Sequence, residues 1–275
     1  MLKHITDKEL KDLFDLLGEV FHAHDIDYYL IGAIARDYWY KKEQLQSRIS
    51  RDVDFAVLIP AKEEYEQVRN ALQQKGFTET KQNAFVLISP SGIQIDLLPF
   101  GDIEIDDSML LEGKAMTSIK VNGFKEVFHA GTEETDMADN YSFKAATLSS
   151  IVLLKLISYD DRPERRGKDP RDIAGIIRDF FHLQSELIYE HHSDLFIKDD
   201  ELELTDIAAM VIGREMKKIC SNNPVLCNRI ENILSTEIKK GQASSFLRNM
   251  QEETSSDIGL MKMWLEKLLI GFTQF

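Results

Sequence analysis

The sequence predicts an α+β fold, a small mixed sheet flanked by helices and followed by an all-helical region, and three observations carry that expectation. Two apolar runs of strand character, Tyr28 to Ile31 and Asp52 to Ile59, stand on either side of a short helical stretch that opens at Gly32. Alternating residues on both sides of Pro90-Ser91-Gly92 add a hairpin. From about Ser142 onward only helical spacing remains.

Taken in order, Leu10, Leu13, Phe14, Leu17, Val20 and Phe21 recur at helical spacing behind Thr6 and Glu9, the pair of a capping box, so residues 6 to 24 predict an amphipathic helix. Tyr28 to Ile31 predicts a strand, and Ala33 to about Tyr40 a helix. Lys41 to Ser47 is a polar connection. Asp52 to Ile59 predicts the second strand, stopped by Pro60. Residues 61 to 75 predict a helix ended by Gly76. Phe85 to Ser89 and Ile93 to Leu98 predict the hairpin; in its second arm Ile93, Ile95 and Leu97 alternate with Gln94, Asp96 and Leu98, so Asp96 points away from the apolar face. A second hairpin is expected at 117 to 130, with Asn122-Gly123 as its two-residue turn.

Ala145 to Tyr159 predicts a helix carrying Lys155 among Leu153, Leu154, Leu156 and Ile157. Asp169-Pro170 supplies an N-cap and a first-position proline for a helix through Ile173, Ile176, Ile177 and Phe180. Further helices are expected at 203 to 220, 224 to 240, 242 to 253 and 256 to 272. The expected organisation is a core over residues 1–135, a helical extension over 136–190 and a helical C-terminal domain over 191–275.

Composition narrows the function. The 275 residues are 43% hydrophobic and 29% charged, enough apolar content for a full core. The apolar runs are far shorter than the roughly 20 residues of a membrane span, so no membrane role is expected. Lys3, His4, Asp7 and Lys8 interrupt the start where a secretory signal would need an apolar block. Cys220 and Cys227 are the two cysteines, too few for a disulfide framework, and a cytoplasmic location is expected. The net charge of −14 opposes broad, sequence-independent binding to nucleic acid. It leaves room for a local basic site, and Arg162 to Arg171 concentrates five basic residues against two acidic ones. A solvated loop explains that stretch equally well.

The chemistry lies in the carboxylates. Asp52 and Asp54 share one face of their strand while Val53 and Phe55 take the other. Like charges so close repel, and proteins keep such pairs for a hard cation or a shared proton. Asp52, Asp54 and Asp96 together suit magnesium, which takes oxygen ligands and is held by one or two carboxylates plus substrate phosphates. At Gly32 the missing side chain lets phosphate oxygens reach the backbone, and the following helix offers free N–H groups. Arg36 lies one turn further on. Each element alone is weak, since Asp-x-Asp is common on solvated strand ends; the combination is much more specific.

These residues resemble the nucleotidyltransferase superfold of the DNA polymerase beta type. More narrowly the chain is similar to the AbiEii-like toxin nucleotidyltransferases of bacterial toxin–antitoxin systems. Arg48-Ile49-Ser50-Arg51-Asp52-Val53-Asp54 fits their Arg-x-Thr-x-Asp-x-Asp run with Ser50 for Thr, and Ile95-Asp96-Leu97-Leu98-Pro99 fits the strand of the third carboxylate. Lys155 and Lys168-Asp169-Pro170-Arg171-Asp172 sit where that group has a lysine helix and a Lys-Asp-x-x-Asp run. The resemblance covers about residues 26 to 180.

It implies transfer of a nucleoside monophosphate from an NTP to a hydroxyl of RNA (such as a tRNA end), protein or a small molecule, with Mg2+. A cognate antitoxin is the implied partner. Asp52, Asp54 and Asp96 would hold metal, and Asp96 would help to deprotonate the acceptor. Gly32, Ala33 and Arg36 would meet the triphosphate, with Arg48 and Ser50 shaping the adjoining loop. Lys155 would neutralise phosphate or support the acceptor, or else snorkel from a buried helix, and Asp172 would pair with it or favour its own helix N-terminus. The superfold's usual Gly-Ser pair is Gly32-Ala33 here, which removes a hydroxyl that often meets phosphate. A degenerate nucleotide-binding or protein-interaction module of the same fold is the alternative, and a coincidental trio of aspartates in an interaction protein a third. His22, His24, His191 and His192 lack the companions of a zinc site.

Overall fold

The computed structural model describes residues 5–45, 52–81, 83–101, 108–110, 118–137, 141–196 and 202–274. The chain divides into two compact units, residues 1–128 with 132–146, and residues 129–131 with 147–275.

The first unit is built on a sheet. Helix α1 (Asp7–Ala23) starts with the predicted capping box, Glu9 N donating to Thr6 Oγ1 at 3.2 Å and Thr6 N to Glu9 Oε2 at 2.9 Å. Strand β1 (Tyr28–Ile31), helix α2 (Gly32–Lys42), strand β2 (Asp52–Leu58) and helix α3 (Lys62–Gln74) follow where the spacing predicts them. After the two-residue β3 (Thr78–Glu79) come β4 (Val86–Ile88) and β5 (Gln94–Phe100), the expected hairpin, turning at Gly92 with φ +85°. Strands β6 (Ser108–Leu110) and β7 (Ser118–Lys120) form a separate ribbon, helix α4 (Phe124–Ala130) comes next, and β8 (Thr132–Met137) and β9 (Tyr141–Ala146) complete the unit.

The main sheet has seven strands in the order β3-β4-β5-β2-β1-β9-β8. It is mixed: β2 runs parallel to β5, and β1 parallel to β9, while the other pairs are antiparallel. One face carries Phe55 against Phe14, Phe21 and Tyr28, with ring centroids 5.5, 6.3 and 5.9 Å apart, so α1 covers it. The other face carries Tyr29 and Phe100, and α4 lays Phe124 and Phe128 over that end. Aromatic pairs of this geometry add to area burial. Trp39 of α2 donates its indole N–H to Ala146 O at 2.8 Å, tying that helix to β9.

The second unit is helical: α5 (Leu148–Asp161), α6 (Lys168–Leu183), α7 (Ser185–His191), a short turn at Ser193–Phe196, α8 (Leu204–Cys220), α9 (Pro224–Lys240), α10 (Ser245–Thr254) and α11 (Ile258–Thr273). Helix α6 packs on α5, α8 and α10. Helices α8 and α11 cross at van der Waals contact of their backbones. A Cβ on Gly213 would lie 2.1 Å from Leu268 O, and one on Gly271 2.0 Å from Met210 O.

Three expectations give way. The hairpin expected at 117–130 has only its first arm as strand, because Phe124, Val127 and Phe128 stand at helical spacing and form α4. A type I′ turn needs φ > 0 at both central residues, and only Gly123 has it, at +90°. The strands β8 and β9 were not expected, and the helix predicted from Ala145 begins at Leu148, with Thr147 accepting from Ser150 N. β8 is an edge strand whose Glu133, Glu134 and Asp136 break the apolar alternation, as charges on exposed edges do. Finally, Asp169 does not cap α6. The helix begins two residues earlier, at Lys168 behind Gly167, and the Asp169 carboxylate turns to a lysine instead.

Candidate active site

The parallel register of β2 and β5 sets the site. Asp54 stands directly opposite Asp96, and Asp52 opposite Gln94. Residues opposite one another in a ladder project from the same face, about 4.8 Å apart between strands and about 6.6 Å apart two residues along one. Asp52, Asp54, Gln94 and Asp96 therefore form a two-by-two array at the start of both strands. Val53, Phe55, Ile95 and Leu97 are buried on the opposite face, whereas Asp54 and Asp96 are half-buried and Asp52 is exposed. The Tyr65 hydroxyl of α3 donates to Leu97 O at 2.8 Å and braces β5 next to Asp96. Burial pushes the Tyr65 phenol up to about 12, against the pull of Arg69, and the charges on Glu66 and Asp96 add to the rise.

Gly32 explains itself at this point. Ile31, the last residue of β1, lies opposite Asp54 on the other side of β2, and the chain turns into α2 at Gly32 with φ +69°. A Cβ there would lie 2.2 Å from Asp54 Oδ2. Glycine is thus needed twice over, for the backbone angle and for the carboxylate that fills the place of its side chain. Ala33 follows, half-buried, and Arg36 is buried one turn on, donating to Asp37 Oδ1 through Nε at 3.3 Å and Nη2 at 3.0 Å. Arg48 and Ser50 lie outside the described residues.

The donor set suits a hard divalent cation, since every candidate ligand is a carboxylate oxygen. Among the described residues no three of His, Cys, Asp and Glu form a ready-made cage. Gln94 Nε2 donates to Asp96 Oδ1 at 3.1 Å. It was legible only as a member of the polar face of its strand.

In the helical unit Lys155 is half-buried and donates to Asp169 Oδ1 at 3.0 Å and to Asp172 Oδ2 at 2.8 Å. Burial alone would lower its pKa, but Asp169 and Asp172 outweigh that and hold the ammonium above the usual lysine range. Of the two sequence readings for Asp172, pairing with Lys155 is the one seen; Asp169 is a second partner that the capping pattern disguised. His192 is wholly buried and meets Glu215 at 2.8 Å and Arg214 at 3.4 Å. Arg214 also grips Asp194 through both oxygens. Cys220 and Cys227 are buried, free thiols.

No curated protein matches the chain in sequence. Among solved structures it is similar to a lincomycin-bound lincosamide antibiotic adenylyltransferase, at 18% identity over 55% of this chain and 86% of that one, TM-score 0.36. An antigenic nucleotidyltransferase-like protein from Paracoccidioides brasiliensis is similar at 14% identity, over 70% and 92%, TM-score 0.41. The antibiotic-resistance factor ANT(2'')-Ia is similar at 9% identity, over 86% and 96%, TM-score 0.36. The model of one protein family, the nucleotidyl transferase AbiEii toxins of type IV toxin–antitoxin systems, matches residues 11–262. That span takes in the strand-borne aspartates, the glycine turn and most of the helical unit, and the chain belongs to the AbiEii nucleotidyltransferase family.

Proposed function

We propose that the protein transfers a nucleoside monophosphate from an NTP to a hydroxyl acceptor, with RNA such as a tRNA end as the first candidate, and acts as the toxin of a toxin–antitoxin pair in the cytoplasm. The observation that supports this most is the Asp54–Asp96 rung closed against Gly32. In this reading Asp52, Asp54 and Asp96 hold Mg2+, and Gly32, Ala33 and Arg36 meet the triphosphate at the start of α2. Magnesium bound there would neutralise the triphosphate and stabilise the departing pyrophosphate. Asp96 takes the proton of the acceptor hydroxyl as its oxygen bonds to the α-phosphorus and the bond to the bridging oxygen breaks. Arg48 and Ser50 shape the loop that leads into β2. Lys155 keeps its other reading, a structural one, since Asp169 and Asp172 already hold its ammonium.

The test is incubation with NTPs labelled at the α-phosphate, with magnesium, with and without total RNA. Labelled RNA and released pyrophosphate are expected. No product from any NTP, with or without RNA, overturns the reading. Ala33 in the place of a serine favours the second reading, a nucleotide-binding module without transfer. Calorimetry separates it from coincidence: an NTP with magnesium binds the wild type and fails to bind the Asp52→Ala/Asp54→Ala variant. Arg165 and Arg166 are exposed, and reversing both charges is expected to weaken RNA binding while NTP binding survives. Unchanged RNA affinity rejects that segment as the RNA contact.

A further inference from the structure

A fourth polar group stands among the three aspartates. Gln94 opens β5 opposite Asp52, one step along the strand face from the Asp54–Asp96 rung. It is half-buried, and its Nε2 donates to Asp96 Oδ1 at 3.1 Å. A carboxylate only accepts, so the NH2 end of the amide must be the one that faces it.

We infer that Gln94 is a positioning residue: it clamps one oxygen of Asp96 and so fixes the direction in which the other faces the ion and the acceptor. This rests on the reading of the aspartates as the ion site. The choice of side chain follows from the charges around it. A glutamate at 94 would set a fourth negative group beside Asp52 and Asp96. A lysine or arginine would neutralise the pair that has to attract a cation. An amide orients the carboxylate and leaves the net charge unchanged. Carboxylate ligands are commonly held this way, and loss of such a hydrogen bond weakens metal binding by about 10- to 100-fold.

The experiment measures Mn2+ affinity by electron paramagnetic resonance on the full-length protein without nucleotide, comparing wild type, Gln94→Leu, Gln94→Asn and Asp54→Ala. Leucine keeps the bulk and removes the donor; asparagine keeps the amide one methylene short. The Mn2+ dissociation constant is expected to rise about 10-fold in Gln94→Leu and by less in Gln94→Asn, with urea midpoints near that of the wild type. If Gln94→Leu folds poorly, Gln94→Met serves in its place. Affinity within twofold of wild type in the leucine or methionine variant, while Asp54→Ala loses the ion, overturns the role of Gln94 alone. A lowered urea midpoint with unchanged Mn2+ affinity marks a merely structural residue and overturns it too. If Asp54→Ala binds Mn2+ as the wild type does, the ion site itself falls and the inference with it.

Discussion

Asp54 and Asp96 meet across a rung between two strands, whereas Asp169 and Asp172 meet one turn apart on α6 with the Lys155 ammonium 3.0 and 2.8 Å away. Both are acidic pairs, but they are finished differently. The helical pair carries its own cation. The sheet pair is lined by a glycine whose place the Asp54 carboxylate occupies, and by a neutral amide. A carboxylate pair that already holds a cation is a structural unit first, because removing the ammonium strands both carboxylates. A half-buried pair at the start of two strands can lend its charge to something that comes and goes.

The sharpest break in this contrast would come from exchanging the charges for amides. Asp54→Asn and Asp96→Asn are expected to lower nucleotidyl transfer by about 10³-fold, the scale of losing an essential electrostatic group, with little change in urea unfolding. Transfer within tenfold of wild type would put the two pairs in one class. Lys155→Met leaves two buried carboxylates without their cation and is expected to cost about 3–5 kcal/mol in urea unfolding. Adding Asp169→Asn and Asp172→Asn is expected to recover most of it. A single variant as stable as wild type would deny the cluster its structural role.

Smaller effects refine the picture. Gly32→Ala forces a left-handed angle on a residue with a side chain, costing about 1–2 kcal/mol, and drives its Cβ into Asp54 Oδ2. Transfer is expected to fall further than that loss of stability explains, and equal losses would separate the glycine from the carboxylate.

The smallest effect concerns acid. The hydrogen bonds from Arg214 hold Asp194 below its ordinary 3.8. Burial would raise Glu215, but the hydrogen bonds from His192 and Lys218 keep it below its ordinary 4.5. Lowered carboxylate pKa values contribute stability that is present above the ordinary values and lost as pH falls through the lowered ones. The urea midpoint is therefore expected to stay level for these two groups between pH 7 and pH 5, roughly, and to fall below about pH 4, with Arg214→Met flattening the drop. An identical acid limb in that variant would remove this network from the account.

What the chain disclosed in advance follows the same division between near and far. Helices α8, α9 and α11 and the capping box of α1 are local patterns, and they stand within a few residues of their expected places. The alternation of β5 placed Asp96 on the polar face, as found. Register between strands is not written in either strand, so the Asp54–Asp96 rung and the membership of Gln94 emerge only from the fold. The pair β8 and β9 was missed because Thr132 to Met137 lacks an apolar period; it is held by its neighbours, with Thr135 Oγ1 donating to Phe143 O at 2.8 Å. Phe124, Val127 and Phe128 suit either period, and a turn-like dipeptide tipped the reading toward strand. Asp169 misled for a related reason: Asp-Pro is a good helix opening in isolation, and nothing local reveals a lysine on another helix.

The crossing of α8 and α11 limits how this chain can drift. When two side chains meet in a core, one can shrink as the other grows. At Gly213 and Gly271 each glycine faces the main chain of the opposite helix, so there is no opposing group to trim. A methyl group gained at either place has no compensating change elsewhere and must wedge the helices apart along their length.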